Sequence, residues 1–402
     1  MQLLLRKQYL TIAACALMLW GCAANDTADE PSPLVTFAPE ASFSTVWETG
    51  TGVGSKKLEL HLEPYFGIEQ IYIADIKGRV TAVKKSNGAV LWSVETEYPV
   101  SGGLGGTAGY LFFGTRDGRL VALRREDGSV AWVTELTSES LVVPAAEAGI
   151  VVTRTVDGNI LAFNQLTGEK LWSYSQSVPS LSLRGNSDPV IYRGGVLAGS
   201  DNGRLTALAL NNGRLLQETP IAIPSGSSEL SRLVDVDSKI IIDKGFIYAA
   251  AFQGRVVCLS LEAAQAVWAR DMSIYRDMTL DGENLYLSDE DGHVWALNAM
   301  TGATVWVQDK LHARPITGPV VYRDAVLVAD FEGYVHAMHV TDGRFIARTQ
   351  IGSEDIKVEP VVNDDKVFVL TRKGTLAALT LNRLELVKTN PNPNADANAD
   401  EE

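Results

Sequence analysis

Chemistry in this chain would have to come from five histidines, three cysteines and a few clustered carboxylates. His336 and His339 are three apart in an apolar run with strand character, so their rings point to opposite faces and cannot readily share a metal. His61 and His312 stand singly, and His293 follows a turn glycine, where a solvent-exposed imidazole is the plain expectation. Asp289-Glu290-Asp291-Gly292 has the acidic spacing of a calcium loop without its remaining ligands, and reads as a polar turn. Gly102-Gly103-Leu104-Gly105-Gly106 precedes a strand with no helix after it, so it is no phosphate cradle, and Gly-x-Ser-x-Gly is absent. Cys258 lies inside a strand pattern, as a small buried hydrophobe does more often than a nucleophile. These residues form no catalytic constellation, and neither a metal nor a cofactor is expected.

The elements that carry them begin with an export signal. Arg6 and Lys7 precede an apolar stretch from Tyr9 to Trp20 that is too short to span a bilayer, which needs about 20 apolar residues. It ends in Leu19-Trp20-Gly21-Cys22, which resembles the bacterial lipobox, with Trp20 at a place that is usually small. That resemblance implies cleavage after residue 21, lipid on Cys22 and, because Ala23 rather than Asp follows, transport to the outer membrane. A plain signal peptide with a chance cysteine is the other reading. The formal charge is −14, and loss of two basic residues with the signal takes it to −16, which does not draw nucleic acid. With Cys15 removed and Cys22 lipidated, Cys258 alone remains, and an internal disulfide is excluded. Residues 22–42 are expected to be a lipidated cysteine and flexible tether, 43–382 the folded domain, and 383–402 a disordered acidic tail.

A repeat organises the domain. Asp117-Gly118-Arg119-Leu120-Val121-Ala122-Leu123 is followed by Asp127-Gly128 and Trp132, and equivalent glycines fall at 78, 118, 158, 203, 254, 292, 333 and 374. Their spacings of 40, 40, 45, 51, 38, 41 and 41 residues, with strand-like content, predict an all-β, eight-bladed β-propeller of four-stranded antiparallel blades. Four residues after each glycine stands Ala, or Cys258 in the fifth unit; crowding between neighbouring blades is the expected reason for its size. Trp92, Trp132, Trp172, Trp268 and Trp306 each lie fourteen residues beyond their glycine and are expected to plug the space between blades, with Leu216 and Ile346 near that place in the fourth and seventh units. The eighth unit lacks its last strand, and Trp47 lacks a unit, so the N-terminal strand should complete the last blade and leave no open edge.

These units resemble the repeats of the pyrroloquinoline-quinone dehydrogenase propellers. Lipobox, eight blades and short tether together resemble the BamB family, lipoproteins of the outer-membrane β-barrel assembly (BAM) machinery. The extra residues before the fourth and fifth units hold Leu181, Leu183 and Arg184, and Asp235 and Asp237. The resemblance implies that these five engage the POTRA domains of a BamA-like barrel subunit. Otherwise the leucines fold back onto the core, and the arginine and aspartates pair or cap turns. Unfolded outer-membrane proteins, pairing with blade edges, are a further partner to weigh. The rival class is a quinone-dependent enzyme; the adjacent cysteine pair found in many of those enzymes is missing here.

Overall fold

The computed structural model describes residues 29–179, 181, 187–224, 233–263, 265–274 and 276–384. Among these, no helix is long and apolar enough to cross a membrane. The strands form eight four-stranded antiparallel sheets, each running from a short inner strand to a longer outer one. In the second blade these are Gly105–Gly106, Tyr110–Gly114, Arg119–Arg124 and Val130–Glu135. The eighth is built from Val361–Asn363, Lys366–Leu370 and Thr375–Arg383, and its outer strand is Ala41–Gly50 from the other end of the chain. The ring is closed as the sequence predicts.

The turns repeat the same chemistry. Between the two middle strands the repeat glycine takes positive φ, 75° at Gly118 and 82° at Gly333, which glycine adopts without penalty. The fifth blade differs: there the positive φ of 45° falls on Gln253 instead of Gly254.

The alanine four residues later is explained by its row across the sheet. Ala122 lies between Phe112 and Trp132, whose ring centroids are 5.9 Å apart, and the register slips by one residue just after it. Tyr72–Ala82–Trp92, Tyr248–Cys258–Trp268, Tyr286–Ala296–Trp306 and Phe368–Ala378–Trp47 repeat the arrangement. In these five blades a larger side chain would collide with rings on both flanks, and the next blade crowds the same place, as Leu111 and Phe113 share one core with Ala82. The same register fixes what fills the tryptophan's place in the two units that lack one, with Leu216 and Ile346 one residue before it. Gln217, not Leu216, stands opposite Ala207, and Ala347, not Ile346, stands opposite Ala337.

Residues 29–40 belong to the stretch expected as a tether, yet they are docked. Leu34, Val35 and Phe37 pack on the core between the sixth and seventh blades, and Phe37 stacks on Phe345 at 5.6 Å. The Ser32 N–H donates to the His312 carbonyl (3.0 Å), and Arg348 donates to the Val35 carbonyl (3.0 Å).

Candidate functional site

The loops that join each outer strand to the next inner strand share one face of the ring with the turns between middle strands. Between the third and fourth blades this loop carries Leu181, which is 41% exposed. Leu183 and Arg184 lie outside the described residues. Between the fourth and fifth blades the loop carries Asp235 and Asp237, and it is anchored by burial of Leu233, Val234 and Val236. The Asp235 side chain between them is fully buried as well, and its main-chain carbonyl accepts the Phe252 N–H at 2.8 Å. Asp237 is partly buried as a residue, although its Oδ1 is covered.

Sequence reasoning missed the groups beside them. Arg154, at the end of a third-blade strand, and Asp201, in the fourth blade's middle turn, form a buried ion pair. Burial, with Asp235 and Asp201 nearby and only partly offset by Arg154, pushes the Asp237 carboxyl up to about 8. Its Oδ1 meets no hydrogen-bond donor among the described residues. The loops of blades three to five thus hold a covered acidic cluster in which Asp237 is shifted toward its protonated form, on the same face of the ring as the exposed Leu181. No spacing in the sequence links Arg154 or Asp201 to the aspartates.

The axis of the ring holds a second polar cluster. Asp188 accepts the Val143 N–H (2.7 Å), Asp277 the Lys239 N–H (2.7 Å) and Glu359 the Gly318 N–H (3.1 Å), each tying an inner strand to the preceding blade. His61 lies between two carboxylates, with Nε2 at 2.7 Å from Glu359 and Nδ1 at 3.5 Å from Glu63. Burial opposes charge on this ring, but Glu359 and Glu63 outweigh it and raise its pKa well above the usual value. A ring that bridges two carboxylates through both nitrogens acts as a doubly donating cation, although His61, Glu63 and Glu359 are close enough to frame an ion.

Asp289, Asp291 and His293 also converge. Asp289 is committed to the turn there: Oδ1 accepts the N–H groups of Asp291 (3.1 Å) and His293 (2.8 Å), and Oδ2 accepts the Trp295 indole (2.8 Å). His336 is fully buried, with Nε2 donating to Asp330 (3.0 Å) and Nδ1 accepting from Arg348 (3.0 Å), which commits both nitrogens.

Fold and repeat define a class, the eight-bladed propellers with pyrroloquinoline-quinone-type repeats. A family model described as outer membrane protein assembly factor BamB matches residues 76–308. BamB of Kangiella koreensis is 42% identical over 373 residues, covering 93% of this chain and 96% of its own. BamB of Escherichia coli K12 is 34% identical over 389 residues, covering 94% and 99%. The chain belongs to the BamB family of outer membrane protein assembly factors. Among solved structures, BamB from Moraxella catarrhalis superposes with a TM-score of 0.78 at 25% identity, over 84% of this chain and 99% of its own. A quinohemoprotein alcohol dehydrogenase from Pseudomonas putida HK5 gives 0.66 at 11% identity, over 87% and 78%, and shares the fold alone.

Proposed function

We propose that this chain is a non-enzymatic scaffold of outer-membrane protein assembly, lipid-anchored at Cys22 and facing the periplasm. Its third-to-fourth and fourth-to-fifth blade loops bind the POTRA domains of a BamA-type barrel subunit. The observation that carries the reading is the placing of exposed Leu181 and partly buried Asp237 on adjacent loops of one face. An apolar anchor beside a carboxylate that gains from a cationic neighbour suits a compact protein contact. Leu183 and Arg184 belong to the same loop and are assigned to that contact.

Docking of residues 29–40 limits the leash. Only residues 23–28 separate Cys22 from Asp29, and seven extended steps reach no more than about 25 Å. His312, which Ser32 contacts, lies on the loop face. A lipid at Cys22 therefore holds the loop face, near blades six and seven, close to the membrane.

Photo-crosslinkers at positions 181 and 237, compared with one at Leu166 on the opposite face, test the reading; Leu166 is 65% exposed. Capture of the barrel subunit from 181 and 237 but not from 166 is expected. Capture from 166 alone would move the interface to the other face.

A further inference from the structure

Six blade junctions are locked in one way. The indole N–H of Trp47, Trp92, Trp132, Trp172, Trp268 or Trp306 donates to a carbonyl of the next blade, that of Lys85, Arg125, Gln165, Leu210, Ala299 or Val340, at 2.7–3.2 Å. Each ring lies against the glycine of that blade's outer turn: Gly88, Gly128, Gly168, Gly213, Gly302 or Gly343. The fourth-to-fifth junction has neither part. Gln217 stands where the tryptophan would be, and the sequence has Ala264 where the other blades have glycine.

What remains there is a cleft of about 330 Å³, walled by Leu197, Leu205, Leu216, Ile247, Leu259 and Leu261. Ala207 at its base is partly exposed, whereas Ala82, Ala122, Ala162, Cys258, Ala296, Ala337 and Ala378, its seven counterparts, are all 0% exposed. Leu261 occupies the position whose carbonyl receives an indole N–H in the other blades, and among the described residues no side chain donates to it. The seventh-to-eighth junction also lacks a tryptophan, but Phe43 and Leu381 pack there in one core with Ala347.

We propose that this cleft is a docking site for a tryptophan side chain carried on an extended segment of a partner protein. The molecule itself identifies the occupant: six equivalent spaces are filled by an indole that also satisfies the carbonyl at the cleft edge. A phenyl ring would fill the space but leave that carbonyl unmet. The half-exposed Leu216 extends the apolar wall to the surface, where an incoming chain can lie along the free edge of outer strand Leu215–Pro220. The cleft is also lined by Tyr192–Gly195 and Ser260–Leu261, turns on the face opposite the loops of Leu181 and Asp237. The two surfaces can therefore be occupied at once, and neither proposal depends on the other.

The probe is a peptide labelled at its N-terminal amine, fluoresceinyl-Gly-Gly-Val-Thr-Trp-Val-Thr-amide, titrated with the mature protein and read by anisotropy. Saturable binding is expected, weakened by about tenfold or more when the peptide's tryptophan is alanine, and less when it is phenylalanine. Gln217→Trp with Ala264→Gly fills the cleft from within and should abolish binding while holding or raising the thermal midpoint. Leu216→Glu, at the exposed mouth, serves if that pair folds poorly, and should weaken binding by about tenfold. Absence of saturable binding, equal affinity for the alanine peptide, or unchanged binding by a folded variant of either kind would overturn the proposal.

Discussion

The indole of Trp47 donates to the carbonyl of Lys85 at 3.2 Å, and the ammonium of Lys85 returns to Asp364 at 2.9 Å, so one buried lysine holds two parts of the last blade against the first. The closure is thus the same tryptophan lock that joins five other pairs of blades, made here between the ends of the chain. Trp47→Ala removes the ring and the hydrogen bond together. A loss of about 3–5 kcal/mol in unfolding free energy is expected, measured by denaturant titration.

The glycines that receive the rings are more constrained than those of the inner hairpins. Gly168 has φ 71°, and a Cβ there would lie 2.6 Å from Trp132. Gly149 has φ 79°, but nothing lies within 4 Å. Gly149→Ala should cost about 1 kcal/mol for backbone strain alone, and Gly168→Ala about 3 kcal/mol, because the ring must also move. Thermal melts of the two variants side by side check the difference.

The architecture was legible because a propeller writes its period into the sequence: glycine, alanine and tryptophan recur at fixed offsets wherever the same local geometry recurs. Contacts made once leave no such trace. Phe37 meets Phe345 across 308 residues, so the docking of 29–40 has no periodic signature. The place of Gln217 was legible too, because it lies fourteen residues beyond Gly203 just as each tryptophan does beyond its own glycine, and every outer hairpin carries the same bulge. Asp235 resembles an exposed loop acid in sequence, and only the packing of Val234 and Val236 beside it fixes its burial.

Asp237 gives the fold a pH dependence. Its carboxyl is favoured in the protonated form, about 8 against a usual 3.8, so its contribution is complete below the unfolded value and is lost as pH rises toward 8. Asp237→Asn should be nearly neutral at low pH and stabilising by about 1–2 kcal/mol near pH 8, the full shift being moderated by partial exposure. Urea midpoints for both proteins across that range test the sign.

The docked N-terminal segment should be separable from the propeller. Phe37 stacks on Phe345, and the Arg348 guanidinium lies 5.1 Å from the Phe37 ring. Phe37→Ala is expected to make residues 29–40 cleavable by a broad-specificity protease, at least about tenfold faster than in the parent, with the ring's thermal midpoint little changed. Equal cleavage rates would show that the segment is held by its backbone hydrogen bonds alone.

The central claim is that the loops of blades three to five bind the barrel subunit. Its most direct test is the dissociation constant for the periplasmic POTRA region of a BamA-type partner, measured for the parent protein and for Leu183→Ala with Arg184→Ala. Tryptophan fluorescence confirms the fold of each. Weakening by about thirtyfold or more, with Leu166→Ala on the opposite face unchanged, is the expected result. Equal affinity of the folded double variant and the parent would contradict the account.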